Sequence, residues 1–326
     1  MPTLLPRRSA LGWMLAGGLA TGPATADTRY PERPITLVVP NAAGGAADNL
    51  ARALAEELSQ RLGQAVVVEN LGGASGALGA QRVLRSQPDG HTLLFGTTSD
   101  MLVTPIANRS AGYAPRDFTP IVKLGVTQMV LLARPDLGVT TVEQLVALAR
   151  QKPNALSLGT TGHASLQAFA AVALQRAAGI DLLGVPYKGG APMLNDLLAG
   201  QIDLGIATLP GVLGQVRNGK LVALGLLSDK RAAAAPEIPT VNESAAVKGI
   251  QIEIWAALAG PAKLPAPVVD SLSRALQALL TDKAFIERRA RHGDQTPPFE
   301  PPADFARFLA AEEQRYRALA TGLKLE

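Results

Sequence analysis

The sequence contains no cysteine. This absence excludes disulfide bonds, thiolate metal sites, a cysteine nucleophile and the lipid-carrying cysteine of a lipoprotein. Histidine is almost as scarce, because only His91, His163 and His292 occur and none of them takes part in an HxxxH or HExxH spacing. A zinc site is therefore not expected. We predict that the protein works without a metal or any other cofactor.

Aromatic residues and excess charge are also in short supply. Phe, Trp and Tyr make up 4% of the chain, too few for the platforms on which bases stack in nucleic-acid-binding proteins. The 31 Lys and Arg residues are nearly balanced by 27 Asp and Glu residues, and the net charge of +4 is scattered along the sequence. The chain therefore lacks the basic patch that nucleic acid binding requires, and no nucleic-acid partner is expected.

Apolar residues, by contrast, are abundant. They make up 47% of the 326 residues, which is ample for a packed interior and excludes disorder as the main state. A chain of this length exceeds the roughly 250–300 residues at which a single hydrophobic core stops growing. We therefore expect two domains or lobes.

The first 26 residues have the three parts of an export signal. Arg7 and Arg8 form a basic start, and an apolar run follows over residues 10–20. Residues 24–26 (ATA) then form an A-x-A cleavage site, so we predict export with cleavage before Asp27. The apolar run is shorter than the ~20 residues that cross a bilayer, and the alternatives are a membrane anchor or a disordered tail. The two arginines fit a twin-arginine signal only in part, which leaves the Sec and twin-arginine routes both open.

Strand and helix patterns alternate along the rest of the chain. Residues 35–39 (ITLVV) form a continuous β-branched run, typical of a strand buried on both faces. Leucine recurs every four residues within 48–62, which predicts a helix there. Thr140 and Glu143 predict the start of another helix through a capping box. The other predicted strands cover 65–69, 92–96, 121–133, 156–159, 182–185, 202–207, 221–227 and 250–260, and the other predicted helices end at 84 and 178 or cover 191–199, 209–218, 266–280 and 302–320.

This alternation indicates an α/β fold with largely parallel sheets. It falls into two series, which fit two lobes between which the chain crosses twice, near 125–135 and 250–258. We expect the first lobe to comprise residues 27–132 together with 252–326. The second lobe is expected to comprise residues 133–251.

Loops rich in Gly, Ser and Thr follow five of the predicted strands. In open α/β sheets, ligands bind at the C-terminal ends of the strands, where helix N-termini present unpaired N–H donors to anions. If the five loops face one cleft, its lining of amides and hydroxyls suits a carboxylate. The alternative is that the glycines merely permit tight turns, and the residues alone favour neither interpretation. The loops cover residues 41–48, 72–76, 96–99, 160–165 and 186–191.

No catalytic pattern stands out in the sequence. Neither G-x-G-x-x-G nor G-x-x-x-x-G-K-[ST] occurs, and Ser165 lacks the surrounding G-x-S-x-G of a nucleophile elbow. We interpret Asp48 as an N-cap or first-turn acid and His163 as a polar loop residue. Trp255 is interpreted as core between the lobes rather than as a stacking platform. We therefore predict that the protein is not an enzyme.

A series of motifs resembles one known family. The stretch from Tyr30 to Asp48 looks like the opening of the Bug-type solute receptors, the periplasmic binding proteins of tripartite tricarboxylate transporters. The most specific match is VPYKGGAP at residues 185–192, followed by DLLAGQID at 196–203. The resemblance runs from residue 30 to the C-terminus. Further matching motifs lie at residues 68–70, 89–94, 179–181, 239–244 and 255–262.

The resemblance implies a two-lobed periplasmic-binding-protein type II fold, a Venus flytrap in which each lobe is a mostly parallel sheet flanked by helices. It implies a periplasmic receptor that captures a small carboxylate between the lobes and delivers it to the membrane subunits of a tripartite tricarboxylate transporter. We expect a monomer. A ligand-presenting sensor for a membrane signalling system and, with less support, an exported enzyme on the same scaffold are the alternatives. The residues that the resemblance and the loop pattern assign to the ligand are Ala42, Ala43, Gly44, Gly45, Asp48, Ser75, Thr97, Ser99, Thr160, Gly162, Ser165, Gln167, Tyr187, Gly189 and Ala207.

Two positions depart from the family pattern. Gln167 stands where the family commonly has a histidine. The strand after Asp203 ends in Ala207-Thr208, where the family commonly has an acid. The missing acid removes a partner for a ligand ammonium group. We therefore predict a carboxylate without an amino group, such as an aromatic or hydroxy acid, rather than an amino acid.

Overall fold

The computed structural model of the protein describes residues 30–44, 46–162, 165–187, 189–291 and 295–321. The predicted export signal, the predicted contact Gly45, and His163 lie outside these residues. In the described ranges, the strands are β1 Ile35–Val39, β2 Val66–Asn70, β3 Thr92–Thr97, β4 Phe118–Ala133, β5 Ser157–Thr160, β6 Leu183–Pro186, β7 Leu204–Thr208, β8 Val222–Leu226 and β9 Glu253–Pro261. The helices are α1 Ala46–Leu62, α2 Ala77–Leu84, α3 Thr104–Ala107, α4 Val142–Gln151, α5 Leu166–Ala178, α6 Gly190–Leu198, α7 Leu209–Arg217, α8 Ala266–Leu280, α9 Lys283–Arg291 and α10 Pro302–Ala320.

Burial follows the apolar patterns of the sequence. In β1, the residues Leu37, Val38 and Val39 are all fully buried, as expected for a strand covered on both faces. In α1, Leu54 and Leu58 face the core because residues four apart lie on the same side of a helix. The local periodicity therefore sets which face of each element is buried.

The strands of the described ranges form one continuous sheet, in the order β2-β1-β3-β9-β4-β7-β5-β6, with β8 also paired to β4. Strand β4 joins two halves of this sheet. Its residues from Phe118 to Gln128 pair antiparallel with β9, and the residues from Met129 onward pair antiparallel with β7 and β8. In one half β1 runs parallel to β2 and β3, and in the other β5 runs parallel to β6 and β7. The predicted two-lobed α/β fold is confirmed, but the sheets are mixed rather than mostly parallel, because β4 and β9 pair antiparallel with all of their neighbours.

The last helix, α10, packs on both lobes. Near its start, Phe305 contacts Trp255 of β9, with ring centroids 6.0 Å apart. Near its end, Tyr316 packs against Phe169 of α5 in the second lobe, at 5.4 Å. Arg176 of α5 also donates a hydrogen bond to a backbone carbonyl close to the end of α10. Trp255 is buried in the core at the crossing between the lobes, as the sequence analysis predicts.

Three local predictions differ from the structure. Helix α9 was not predicted, because its sequence carries many charged residues and shows no clear apolar pattern. Its helical conformation is stabilised by Phe285, which packs into the first-lobe core. The N-cap of α4 is Thr141, whose hydroxyl accepts from the N–H of Gln144, and not Thr140. Strand β9 begins at Glu253, three residues after the predicted start.

In the part of the chain that the structure describes, no helix combines the length and the apolar character needed to cross a membrane.

Candidate functional site

The C-terminal ends of the parallel strands in both lobes point to the junction between the lobes. Strand β3 ends at Thr97, which pairs with Ala256 of β9, and β7 ends at Thr208, which pairs with Met129 of β4. Ala256 in turn pairs with Gly125, shortly before Met129 on the same strand. Strands β1 and β2 run parallel to β3, and β5 and β6 run parallel to β7. The loop after each of these strands therefore lies at the same edge of its half of the sheet as the end of β3 or β7. Of the loops singled out in the sequence, those after β1, β2 and β3 thus share one edge of the first-lobe sheet, and those after β5 and β6 share one edge of the second-lobe sheet.

A cavity of about 1000 Å³ opens at this junction. Ala47 and Thr97 line it from the first lobe, and Thr208 and Pro210 line it from the second. Its volume lies at the upper end of the range for small-molecule sites. Among the described residues, Thr97 is the predicted contact found in the cavity lining, and the other predicted contacts lie outside it, in the loops or, for Asp48, Thr160, Gln167 and Ala207, in α1, β5, α5 and β7.

Asp48 holds the first of these loops. Its carboxylate accepts the backbone N–H of Gly44 at 2.7 Å, Nε of Arg52 at 3.0 Å and Nδ2 of Asn70 at 3.0 Å. The Gly44 hydrogen bond, together with Arg52 and Asn70, lowers the pKa of Asp48 to about 2. Asp48 is buried in the first turn of α1, whereas Ala42 to Gly44 are exposed. Asp48 is thus a first-turn acid, as predicted, and its contacts position the loop.

Thr97 and Asp100 form a hydrogen-bonded pair at the end of β3. The backbone N–H and the hydroxyl of Thr97 donate to Oδ2 of Asp100, at 3.0 and 2.7 Å. Asp100 is fully buried, and this burial raises its pKa to about 6, although the Thr97 hydrogen bonds act in the opposite direction. When Asp100 is ionised, the hydroxyl of Thr97 donates its hydrogen to that carboxylate. The hydroxyl oxygen of Thr97 can then only accept a hydrogen bond from a ligand. Sequence reasoning missed Asp100, although an acid directly after the Thr97–Ser99 loop was a visible signal.

The loop at 72–76 adopts a left-handed turn. Ser75 has a φ of 55°, is exposed, and accepts the hydroxyl of Thr104 on its carbonyl at 2.7 Å. Gly76 has a φ of 91°, and a Cβ there would lie 2.2 Å from Oδ1 of Asp100. Only glycine fits this position, because any side chain would meet the buried carboxyl. Ser99 is half-buried at the start of a π-helical turn, Ser99–Val103.

In the second lobe, the loop after β5 is held by its own hydroxyl groups. Thr160 donates to the carbonyl of Gly162 at 3.1 Å. Ser165 is the N-cap of α5, because its Oγ accepts the backbone N–H of Ala168 at 3.2 Å. Gln167 accepts the hydroxyl of the neighbouring Thr161 on its Oε1 at 2.7 Å. These contacts stiffen the loop and occupy part of the donor capacity that the sequence assigned to a ligand.

Tyr187 is likewise engaged within its own lobe. Its backbone N–H donates to the carbonyl of Thr160 at 2.8 Å, and its hydroxyl donates to Asp196 at 2.8 Å. Burial and the Asp196 carboxylate raise the pKa of Tyr187. Gly189 precedes the first turn of α6 with a φ of 154°, and Ala207 is half-buried in β7. The Tyr187 hydroxyl is therefore not free to donate to a ligand in this arrangement.

The cavity also reaches residues that the sequence analysis did not single out. Beyond the loops it is lined by Phe285, Arg288 and Arg289 of α9. Arg289 is buried, donates through Nη1 to the carbonyl of Leu124 and lies over the ring of Phe285. These residues were missed because α9 itself was not predicted. Across the described ranges, no cluster of three or more His, Asp or Glu side chains is arranged to hold a metal ion.

The sequence and the fold match known proteins over most of the chain. Residues 50–325 match the family described as the tripartite tricarboxylate transporter family receptor. Protein BugT of Bordetella pertussis is 33% identical over 327 residues, which cover 98% of each chain. The solved structure of an R. palustris protein with adipate is 32% identical, has a TM-score of 0.77, and covers 90% of this chain and 99% of its own. MatC from Rhodopseudomonas palustris with bound malate is 29% identical, with a TM-score of 0.73 and coverages of 89% and 99%.

Proposed function

This chain belongs to the tripartite tricarboxylate transporter receptor family and is a solute-binding receptor, and on that premise we propose that it captures a small carboxylate between its lobes. The resemblance to Bug-type receptors seen in the sequence motifs is confirmed by the same match. We further propose that the protein is exported to the periplasm and acts there as a monomer without catalytic activity. It delivers its ligand to the membrane subunits of a tripartite tricarboxylate transporter.

The observation that carries the proposal is the cavity at the inter-lobe face, lined from both lobes. Helices α1 and α7 begin beside it, at Ala46 and Leu209, and α5 begins at the same edge of the second-lobe sheet. Helix N-termini present unpaired N–H groups and a partial positive charge of about +0.5, which attract an anion without a cationic side chain. Two related receptors were solved with adipate and with malate, both carboxylates, and this similarity supports the same ligand class here.

The proposed ligand carries no amino group. The cavity mouth on the second lobe is formed by Thr208, Pro210 and Gly211, and none of these residues offers a carboxylate to an ammonium group. In the first lobe, the carboxylate of Asp48 is committed to Gly44, Arg52 and Asn70. Glu56 and Glu57 line the cavity further along α1, towards α9, where Glu57 is paired with Arg288. A calorimetric comparison of aspartate and glutamate with malate, succinate and benzoate tests this point. Tight binding of the amino acids alone would contradict it.

We propose that residues 27–132 with 252–326 form the first lobe and residues 133–251 the second, with closure by bending of β4 and β9. The pairing of β4 changes between Gln128 and Met129, which supports a hinge there. Helix α10 contacts both lobes, and we assign it to the first because Phe305 and Phe308 pack on Trp255 of β9.

The experiment that tests the function is a thermal-shift screen of mono-, di- and tricarboxylates, aromatic acids included, followed by calorimetry. A ligand that binds only the folded state raises stability by RT ln(1 + [L]/Kd), about 2.7 kcal/mol at a hundredfold excess over Kd. The expected result is stabilisation by at least one carboxylate and none by the corresponding alcohol or amide. Uptake by reconstituted transporter subunits, with and without the receptor, then tests delivery.

A further inference from the structure

The cavity does not end at the loops that face the junction. It follows one side of α1, where Ala47, Leu50, Ala53 and Glu57 line it at helical spacing. A helix rises 1.5 Å per residue, so this stretch of α1 is roughly 15 Å long. The far end lies between α1 and α9, where Arg288 forms an ion pair with Glu57. The cavity is therefore an elongated groove, which we call the α1 groove, with its mouth at the predicted binding loops.

The walls of the α1 groove differ in chemistry from its mouth. The mouth offers Asn49, Thr97 and Thr208, whereas the walls beyond it are largely apolar. These walls comprise Leu50, Ala53, Phe95 and Phe285, while Ile254 and Ala256 line the groove on β9, beside Thr97.

At the far end the charged groups are paired across the groove. Arg288 forms an ion pair with Glu57, and both residues line the groove. Glu56 is exposed next to this pair, whereas Arg289 lies on the strand side of the groove, against Leu124 and Gly125. The groove thus runs from hydrogen-bonding groups at its mouth, past apolar walls, to an ion-paired end. Such a gradient orients an amphipathic ligand, because burial of apolar surface is favourable only along the walls.

We propose that the α1 groove receives the apolar body of the ligand, whose carboxylate is held at the mouth. This inference rests on the proposed function and narrows it to carboxylic acids with an extended alkyl or aryl part. A small polar acid would leave the apolar walls in contact with water. A longer acid removes that surface from water, which tightens binding about fourfold for each buried methylene.

The test is calorimetry of acetate, butanoate, hexanoate, octanoate and 3-phenylpropanoate binding to the purified protein. The blocking variant is Ala53→Phe, at an exposed position in the middle of the groove wall on α1. Ala53→Gln is a milder second variant, in case the aromatic side chain disturbs folding. The matched control is Ala311→Phe, an equally exposed alanine in α10 outside the groove lining. Circular dichroism verifies that each variant is folded.

The expected result is an affinity that rises about fourfold per methylene up to the length of the groove. Ala53→Phe removes this rise for the longer acids and leaves the short ones unchanged, while Ala311→Phe binds as the unmodified protein does. If the affinity did not depend on the chain length of the acid, or if Ala53→Phe did not alter its rise with chain length, the α1 groove would not hold the apolar part of the ligand. The proposed function would remain intact. If no mono-, di- or tricarboxylate bound at all, the proposed function itself would be wrong, and this inference with it.

Discussion

At the scale of single residues, the site is organised by two carboxyl groups in opposite environments. Asp48 accepts three hydrogen bonds, which hold its pKa at about 2. Asp100 is buried beside hydroxyl and amide donors alone, and its pKa is raised to about 6. The first group is thus a permanent anion that orders a loop. The second is a carboxyl whose charge is costly to keep inside the protein.

Replacing Asp48 tests its role in ordering the loop at 41–44. Asp48→Ala removes the acceptor of the Gly44 N–H and the partner of Arg52. We expect the Kd for the carboxylate ligand to rise about tenfold, because a preorganised loop becomes free to move. Asp48→Asn is the control, since its side-chain oxygen still accepts from Gly44, and it should weaken binding less. Equal affinities of all three proteins, measured by calorimetry, would show that Asp48 does not position the site.

The raised pKa of Asp100 predicts a pH dependence of stability. Its ordinary pKa is 3.8, so between pH 3.8 and about 6 the folded state holds a proton that the unfolded state has lost. The free energy of unfolding therefore falls as pH rises through this window, by up to about 3 kcal/mol. Asp100→Asn retains an acceptor for Thr97 and carries no charge. Its stability relative to the unmodified protein should increase from pH 4 to pH 7 in urea unfolding.

Asp270→Asn is the control for this measurement, because Asp270 is exposed on α8. Parallel stability curves for Asp100→Asn and the unmodified protein across pH 4–7 would mean that the Asp100 carboxyl does not titrate in this range.

At the scale of elements, the N-terminus of α5 depends on one residue, Ser165, for two proposed roles: capping the helix and binding the ligand. Ser165 caps α5 through its Oγ and lies in the loop after β5, which the sequence assigns to the ligand. A capping role and a ligand-binding role make different demands, because a cap needs any side-chain acceptor. A carboxylate ligand, by contrast, is repelled by a negative charge. The two roles can therefore be separated by substitution.

Ser165→Asp should preserve the N-cap of α5 but weaken ligand binding. Aspartate is as good an N-cap as serine, so the free energy of unfolding should stay near its original value. Its charge beside the ligand carboxylate should raise the Kd at least tenfold. Ser165→Ala should do the reverse, lowering stability by about 1 kcal/mol through loss of the cap. Normal carboxylate binding by Ser165→Asp would place Ser165 outside the binding site.

At the scale of the whole molecule, the lobes are joined by the strands β4 and β9 and by helix α10. Trp255 lies at this junction, where its backbone N–H donates to Thr98 and its ring packs against Phe305 and Phe308 of α10. It is the only tryptophan in the sequence besides Trp13, which lies in the predicted export signal. Because Trp255 pairs with Val126 on β4, close to Met129 where that strand changes partners, we expect its fluorescence to respond to movement at this junction.

Ligand binding should change the Trp255 emission together with the radius of gyration. Closure of two lobes around a ligand is a hinge motion, and it alters the contacts of residues at the hinge. The measurements are a fluorescence titration and small-angle scattering, each with and without a carboxylate that binds in calorimetry. Trp255→Phe serves as the control for the optical signal. Binding without any change in either observable would argue against closure between β4 and β9.

Much of the fold could be predicted from the sequence, because the determining signals are local. The β-branched run at 35–39 and the leucine repeat within 48–62 each fall in a single element, and both elements are present. Helix α9 could not be predicted in this way. Its local sequence is strongly charged, and what stabilises it is the packing of Phe285 against a core built from distant segments.

The sequence by itself determined the class of protein. It has cysteine-free lobes of alternating strands and helices, with loops rich in Gly, Ser and Thr at the strand ends and motifs specific to one receptor family. Only the tertiary structure decided which polar groups in those loops are already used. The Tyr187 hydroxyl donates to Asp196, the Thr97 hydroxyl donates to Asp100, and Asp48 is bound to Asn70. It also decided that the cavity continues along α1 to α9. The physical reason is that periodicity and composition act within one element, whereas hydrogen-bond occupancy and cavity shape depend on how separate elements pack together.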